Sequence, residues 1–264
     1  MTSRVEGFAR RVRHSRLLGS SAALWKIVRP AYDLLLVLLY GRRGLGRMIN
    51  GTEPMLISPH CRRSVTLDEH EPAVLALLLE SISEGDVVAD VGANLGVYSI
   101  ALARRGAKVV AFEPEPQTAV FLRQHVRWNE VSDSVSIREL AIGAKLGMQR
   151  FLPSGTANVE SRISSTGPLM VSVSTLDDEF AEERVDVIKV DVEGHEVAAL
   201  EGAQNLLKDH SRRPNLLLIE VHDYLLHPVG LRADDVRDLL PGYEIQELSN
   251  DGERRHWLAR LHNP

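Results

Sequence analysis

The sequence contains almost no cysteine and no long apolar run. Only one of its 264 residues, Cys61, is a cysteine, so one chain can form neither an internal disulfide nor a thiolate metal cluster. This cysteine usage is typical of a reducing compartment, and we expect a cytoplasmic protein. The longest apolar stretch, residues 34–40, is about a third of the ~20 residues that a transmembrane helix needs. Because Gly41 and two arginines follow it instead of a cleavage site, we expect no signal peptide.

The main part of the chain also lacks an excess of basic residues. The net charge is −5, but the first 50 residues contain ten Lys or Arg against two acidic residues, which leaves −13 for the rest. A nucleic acid as principal partner requires a basic face that neutralises phosphates, so this acidic body argues against one. With 44% hydrophobic residues, the composition is that of a globular protein with a substantial core.

The basic first part of the chain contains an amphipathic pattern. Apolar residues recur with the helical period, which predicts a helix that is kinked at Pro30. We expect this apolar stripe to pack on the main domain. The alternative is peripheral docking on an anionic membrane, where apolar burial and basic attraction act together. The stripe consists of Leu24, Ile27, Val28, Ala31, Leu35 and Leu38.

A connector rich in Gly, Pro and Arg is predicted to follow over residues 41–66, with a short strand near Met55–Ile57. His60, Arg62 and Arg63 make it a candidate lid or acceptor-recognition segment, although a solvated basic loop fits the same residues. We therefore divide the chain into a basic helical N-terminal segment with its connector, 1–66, and a main domain, 67–264.

Predicted strands and helices alternate through the main domain. Short apolar runs predict five buried parallel strands, at 87–91, 108–112, 134–139, 185–190 and 216–221. Helices are predicted between them at 97–105, 117–129, 196–207 and 233–240, with a hairpin-like excursion at 144–174. Two strand-like runs flank Asn250-Asp251-Gly252, which predicts a C-terminal antiparallel hairpin. This order predicts an α/β fold with a Rossmann-like doubly wound sheet of seven strands.

The first candidate site is the glycine-rich turn Asp90–Gly96, between the first strand and its helix. Gly92 and Gly96 let the backbone turn sharply and approach a ligand closely. A phosphate-binding loop is the rival interpretation, but no Gly-Lys-Ser/Thr ending follows. Asp90 and Glu113 place negative charge nearby instead, which suits a cationic ligand. Glu113 follows Gly92 by 21 residues at the end of the second strand, where an acid accepts hydrogen bonds from ribose hydroxyls.

Further titratable groups follow the fourth and fifth strands. Asp191 and Glu193 come directly after one apolar strand, and Glu220 and His222 end the next. Because the carboxyl ends of parallel strands share one edge of the sheet, these four side chains form a candidate acid–base or metal-binding set. His195 follows the same turn and either faces this site or begins the next helix.

These segments together resemble the FkbM family of S-adenosylmethionine (SAM)-dependent methyltransferases. They occur in family order over about residues 70–225, and their combination is far more specific than any single motif. The matching segments are Asp90–Gly96, Phe112–Pro114, Ala141–Gly143, Ser174–Asp178, Ile188–Gly194 and Glu220–His222.

The resemblance implies the class I methyltransferase fold, with SAM as methyl donor and a hydroxyl of a carbohydrate or specialised metabolite as acceptor. It implies that the turn residues bind the methionine part of SAM, Glu113 the ribose, and Ala141 and Ile142 the adenine; Asp191 lies beside the same ligand. The turn residues concerned are Asp90, Gly92, Asn94 and Gly96. A homodimer is kept as a further hypothesis.

Two mechanisms remain open for the four groups at the strand ends. In the first, His222 is the general base that deprotonates the acceptor, and Asp191 either orients His222 or binds the acceptor. In the second, Asp191, Glu220 and His222 bind a Mg²⁺-like ion that holds the acceptor oxygens, although Mg²⁺ prefers oxygen ligands. An NAD-dependent oxidoreductase and a non-catalytic SAM-binding protein are the alternative functions, but no Tyr-x-x-x-Lys pair supports the former.

Overall fold

The computed structural model describes residues 22–62, 71–153 and 161–262, with side chains from Val28 onward. Two short 3₁₀ helices, Pro59–Cys61 and His227–Val229, supplement the regular elements. The helices are α1 Ala22–Tyr40, α2 Pro72–Glu80, α3 Val97–Arg104, α4 Pro116–Trp128, α5 Leu176–Glu179, α6 Glu196–Glu201, α7 Gln204–Lys208, α8 Asp223–Leu226 and α9 Ala233–Asp238. The strands are β1 Leu45–Ile49, β2 Glu53–Ile57, β3 Val87–Val91, β4 Lys108–Phe112, β5 Val135–Arg138, β6 Ala141–Ile142, β7 Gly147–Leu152, β8 Arg162–Ile163, β9 Leu169–Ser174, β10 Val187–Val190, β11 Leu216–His222, β12 Tyr243–Asn250 and β13 Arg254–Leu261.

The central sheet has seven strands in the order β12-β13-β11-β10-β3-β4-β5. The five strands from β11 to β5 are parallel, whereas β13 runs antiparallel to both β11 and β12. The predicted doubly wound sheet with a C-terminal antiparallel hairpin is therefore confirmed. Strands β3 and β4 begin and end at the predicted residues, and β11 extends one residue further, to His222.

Alternation along the parallel strands builds a hydrophobic core on each face of the sheet. On β11, Leu216 and Leu218 belong to one core, while Leu217 and Ile219 belong to the other. Successive side chains of a strand point to opposite faces, so a strand covered on both sides needs apolar residues at every position. Helices α2, α3 and α4 contribute to the first core, and α6, α7 and α9 to the second.

The excursion between β5 and β10 forms a second sheet, larger than the predicted hairpin. Strands β7 and β9 pair antiparallel, and β6 and β8 extend the sheet to four strands in the order β6-β9-β7-β8. The single helix predicted at 196–207 is divided into α6 and α7. Gly202 lies at the break, where an added Cβ would be 2.0 Å from the carbonyl oxygen of Gly143. This close approach brings the break against the segment that follows β6.

The segment predicted as an irregular connector contains a regular hairpin. The short strand predicted near Met55–Ile57 is confirmed within β2, whereas the irregular prediction is wrong for β1 and for the start of β2. Strands β1 and β2 pair antiparallel, and Ile49, Met55 and Ile57 join the core beneath α3 and α4. The side chain of Asn129 also holds β2, with hydrogen bonds of 2.8 Å to both the N–H and the carbonyl of Leu56. Arg62 pairs with Asp33 of α1, whereas Arg63 lies outside the described residues. The boundary at 66/67 stays a prediction.

Helix α1 exposes the apolar stripe that we expected it to bury. Its opposite side packs on the domain through Leu36, which is fully buried. The expected packing is wrong for Val28, Leu35 and Leu38, which are 43%, 43% and 75% exposed. The side chains of Leu24 and Ile27 lie outside the described set. Within the described residues, none of the helices combines the length and the apolar character needed to span a bilayer.

Candidate active site

A cavity of about 550 Å³ lies at the carboxyl ends of β3, β4, β10 and β11. This is the edge at which open α/β sheets bind ligands. Most of the predicted site residues line it: Gly92, Asn94, Glu113, Ala141, Ile142, Asp191, Glu193, His195 and Glu220. Asp90, Gly96 and His222 are not among the described residues of its wall.

The glycine-rich turn packs closely against the end of β10, and its backbone forms part of the cavity wall. Gly92 has a φ of +81°, and a Cβ there would lie 1.8 Å from the carbonyl oxygen of Asp191. Asn94 also adopts the left-handed conformation, with a φ of 49°. The N–H groups of Gly92 and Ala93 both donate to the carbonyl oxygen of Phe112, at 3.0 and 2.9 Å. These bonds hold the turn against the end of β4.

Asp90 and Gly96 support the turn from behind. The Asp90 carboxylate is fully buried and accepts a 2.5 Å hydrogen bond from the Ser99 hydroxyl. Gly96 begins α3 with a φ of +85°, and a Cβ there would lie 2.4 Å from Leu122. Direct cofactor contact by either residue stays a prediction, while the observed contacts give both a structural role.

Glu113 faces the cavity with its carboxylate already anchored by the backbone. Its two oxygens accept hydrogen bonds from the N–H groups of Asn94, at 2.9 Å, and Glu115, at 2.8 Å. Burial raises the pKa of Glu113 to about 7, and these bonds oppose the shift. Each carboxylate oxygen has a second lone pair, so the group can still accept hydrogen bonds from a ligand.

The far end of the cavity suits a flat heterocycle. Ala141 and Ile142 line it together with Phe151 and Ile163 of the small sheet. The Nε2 atom of His195 is buried here without a hydrogen-bond partner among the described residues, and an added Cβ on Gly143 would lie 3.3 Å from it. Burial lowers the pKa of His195, so the ring is neutral. An unpaired polar atom in an apolar wall fits a ligand with a polar edge.

Lys189 is a residue of the cavity wall to which the sequence assigned no role. Its ammonium donates to the Gly92 carbonyl and to the Asp191 carboxylate, both at 3.1 Å, and lies 3.5 Å from Asp90. Burial alone would lower the pKa of Lys189, but the charges of Asp191 and Asp90 raise it above its ordinary value. The lysine is therefore a fixed cation that joins the glycine turn to the end of β10. The sequence did contain one signal for this lysine: it is a single charged residue within an apolar strand, and a buried charge is costly unless it is paired.

His222 lies behind the cavity wall, in contact with carboxylates on both sides. Its side chain is 1% exposed; Nδ1 is 2.7 Å from Glu196 and Nε2 is 3.3 Å from Glu193. Burial alone would lower the pKa of His222, but the hydrogen bond and charge of Glu196 raise it to about 9. At neutral pH the ring is an imidazolium, which forms a hydrogen bond to Glu196 through Nδ1 and an ion pair with Glu193 through Nε2. These contacts favour a positioning role over the predicted role as base.

Glu193, in contrast, reaches the cavity directly. Its backbone adopts a φ of 51°, which only a strongly constrained non-glycine residue maintains. Burial raises the pKa of Glu193 to about 8, and the charge of His222 opposes the shift. Its carboxylate lies between the Tyr224 hydroxyl, at 3.4 Å, and His222. A carboxyl group whose pKa lies near neutrality can accept a proton from a reacting hydroxyl.

A second histidine–carboxylate group, also missed from the sequence, lies on the same wall. His256 of β13 is placed opposite Glu220 of β11 by the strand register, and its Nε2 is 3.0 Å from Glu71 and 3.6 Å from Glu220. Burial alone would lower the pKa of His256, but these two carboxylates raise it to about 10. The pairing depends on the hairpin register, which no local motif predicts.

Among the residues that the structure describes, two groups of side chains have metal-ligand spacing. Their potential ligand atoms lie within 4.8 Å of one another, in the group of Asp191, Glu193 and His222 and in the group of Glu71, Glu220 and His256. The set predicted from the sequence, Asp191 with Glu220 and His222, is thus divided between two groups. Each group contains one histidine whose pKa is raised by neighbouring carboxylates, that of His222 chiefly by Glu196 and that of His256 by Glu220 and Glu71. An internal cation therefore already balances part of the acidic charge.

The wall as a whole fits SAM. Glu113 matches the ribose hydroxyls, the apolar end with His195 matches an adenine, and the carboxylate of Asp191 favours a sulfonium. The two ends are joined by the glycine turn, at which the backbone itself forms the wall.

Comparison with known proteins identifies relatives that are methyltransferases. The methyltransferase FkbM domain matches residues 90–248. The chain is 32% identical over 190 residues to the hexuronic acid methyltransferase AglP of Haloferax volcanii, covering 69% of this chain and 74% of AglP. It is 23% identical to the methyltransferase sdnD of Sordaria araneosa, covering 58% of this chain and 71% of that protein. Among solved structures, a candidate rRNA methylase from Clostridium thermocellum aligns with a TM-score of 0.50 at 9% identity, covering 73% of this chain and 95% of that one; this likeness shows the fold alone.

Proposed function

Because the chain belongs to the FkbM family of methyltransferases, we propose that it transfers the methyl group of SAM to a hydroxyl of a carbohydrate. The observation that carries this proposal is the position of Glu193, a carboxyl group with a raised pKa that faces the cavity beside the glycine turn. Family and fold support SAM as the donor. The name of AglP supports a sugar, and a uronic acid in particular, as the first class of acceptor to test.

Glu193 is the proposed general base. Methyl transfer from a sulfonium is an in-line displacement, so the acceptor oxygen must lose its proton as the new C–O bond forms. A positioned base contributes about 10²–10⁴-fold to such a step. The Glu193 carboxylate accepts this proton, and the proton leaves to solvent after the product departs.

His222 and Glu196 are the proposed positioning residues. The imidazolium donates from Nε2 toward Glu193, and Glu196 fixes the ring by accepting from Nδ1 at 2.7 Å. This pair restrains the Glu193 carboxylate, whose backbone is already in a rarely populated conformation. Lys189 restrains Asp191 in the same way from the other side, at 3.1 Å.

The proposal is tested by direct methyl transfer. Full-length protein is incubated with SAM carrying a ¹³C-methyl group and a panel of glycosides, half with a uronic acid carboxylate and half neutral. The expected product is a methyl ether whose ¹³C signal and linkage position are read by NMR, together with an equal amount of S-adenosylhomocysteine. A methyl signal on the carboxylate would make the enzyme an ester-forming methyltransferase. A panel without any labelled product, in protein that binds SAM, would refute the carbohydrate assignment.

A further inference from the structure

Helix α1 presents a continuous apolar surface to solvent. Five large apolar side chains on it are between 41% and 75% exposed: Val28, Leu34, Leu35, Leu38 and Leu39. Leu34, Leu35, Leu38 and Leu39 are related by three- and four-residue spacings, and Val28 lies two turns before Leu35. All five therefore fall on one side of the helix, and the buried Leu36 lies outside that arc. A helix that packs on a domain normally buries its apolar stripe, so a stripe that faces outward indicates a binding surface.

The charges around this surface have one sign. The sequence places Arg42 and Arg43 directly after α1, and the exposed Arg29 lies within it. The one acidic residue of α1, Asp33, pairs with Arg62 on the packed side of the helix. The first 50 residues carry a net charge of +8, whereas the remainder carries −13. An apolar stripe with basic residues at its ends complements a surface that combines hydrocarbon with negative charge.

We propose that the exposed face of α1 docks the protein on an anionic membrane. The helix lies in the plane of the interface, with its leucines in the acyl boundary and its arginines at the lipid headgroups. A second copy of the chain is a poorer occupant, because a symmetric contact through α1 would bring Arg29, Arg42 and Arg43 of two copies close together. The acidic body faces away from the membrane for the same electrostatic reason.

The docked helix is linked to the candidate active site by a short chain of contacts. Helix α1 packs on the 3₁₀ helix Pro59–Cys61, which Ser58 precedes. The Ser58 N–H donates to Nε2 of His125, whose Nδ1 donates to the carbonyl of Leu95 in the glycine turn, both at 2.8 Å. Burial lowers the pKa of His125 to about 4, so the ring stays neutral and keeps one donor and one acceptor. A continuous chain of contacts therefore links the proposed membrane-docking helix to the cavity wall.

The test is flotation of the full-length protein with vesicles. Vesicles of phosphatidylcholine with 30% phosphatidylglycerol are compared with phosphatidylcholine alone at physiological salt, for the wild type and for Leu35→Gln/Leu38→Gln. The double variant changes only exposed side chains, so the fold is retained. The matched control is Leu146→Gln/Val229→Gln, which changes two apolar residues that are 63% and 68% exposed elsewhere.

We expect the wild type and the control to float with the anionic vesicles and the α1 variant to bind at least tenfold more weakly. Arg42→Gln/Arg43→Gln should also weaken binding, and high salt should have the same effect on the wild type. Wild-type flotation no higher with anionic than with neutral vesicles would overturn the proposal, as would unchanged binding of the α1 variant. Light scattering that shows a wild-type dimer and a monomeric α1 variant would overturn it too, because the stripe would then be an interface between copies.

Discussion

Replacing Glu196 by Gln tests the proposed positioning pair without touching the cavity wall. The side chain is fully buried, and its Oε1 accepts from Nδ1 of His222 at 2.7 Å and from the Gly194 N–H at 2.9 Å. Glutamine has the same shape and keeps an oxygen for both bonds, but it removes the negative charge. The variant therefore changes the pKa of His222 while leaving the packing intact.

The magnitude follows from that hydrogen bond. A hydrogen bond to a charged group contributes about 1.5–3 kcal/mol, which at about 1.36 kcal/mol per unit corresponds to a pKa change of about 1–2. The pKa of His222 is raised from 6.5 to about 9, with Glu196 as the main cause of the rise. In the variant it should therefore fall to about 7–8.

The assay is the pH dependence of kcat/KM. In the wild type the rate should rise as Glu193 ionises near pH 8 and fall as His222 loses its proton near pH 9. In the Glu196→Gln variant the alkaline limb should move down by about 1–2 pH units. Asp177→Asn is the matched control, because its carboxylate accepts backbone N–H groups of Asn205 and Leu206 away from the cavity. An alkaline limb that stays in place, in a variant with wild-type SAM affinity, would refute the role of His222.

Three further outcomes follow from the same site. Glu193→Gln should lower kcat by about 10²–10⁴-fold while the Kd for SAM, measured calorimetrically, stays within about threefold; near-normal turnover would remove Glu193 from the mechanism. Glu113→Ala should weaken SAM binding by about 10–100-fold, because the ribose loses hydrogen bonds to a charged group, and unchanged affinity would contradict the ribose assignment. Activity should persist in EDTA, because His222 and His256 already supply cations to the two carboxylate groups; loss of turnover that Mg²⁺ restores would establish the metal mechanism instead.

The central sheet could be predicted because the short apolar runs and the alternating order of strands and helices indicate the same fold. Buried parallel strands are apolar at nearly every position, and short runs such as Val87–Val91 that alternate with helical segments are typical of such strands. Strand β1 and its pairing with the predicted strand near Met55–Ile57 were missed because Gly, Arg and Pro interrupt the apolar pattern, although Ile49 reaches the core together with Met55 and Ile57. The outward orientation of α1 was missed for another reason. Periodicity identifies an apolar face but does not say what covers it.

The parts of the candidate site that lie in local motifs at strand ends could be predicted from the sequence. The contacts between side chains of distant elements could not. The glycine turn, Glu113 and the acids that follow β10 lie at strand ends, so sequence order alone brings them to one edge. Burial of His222 and the pairing of His256 with Glu220 depend on which elements pack around them. A titratable residue at a strand end can face either the ligand or the core, and only the packing decides.

The most direct test of the central claim is isothermal titration of the full-length protein with SAM, S-adenosylhomocysteine and NAD. We expect saturable binding of both sulfur nucleosides at one site per chain, weakened by Glu113→Ala, and no heat with NAD. Binding of NAD with no response to either sulfur nucleoside would contradict it, because the same glycine turn and Glu113 would then serve a dinucleotide.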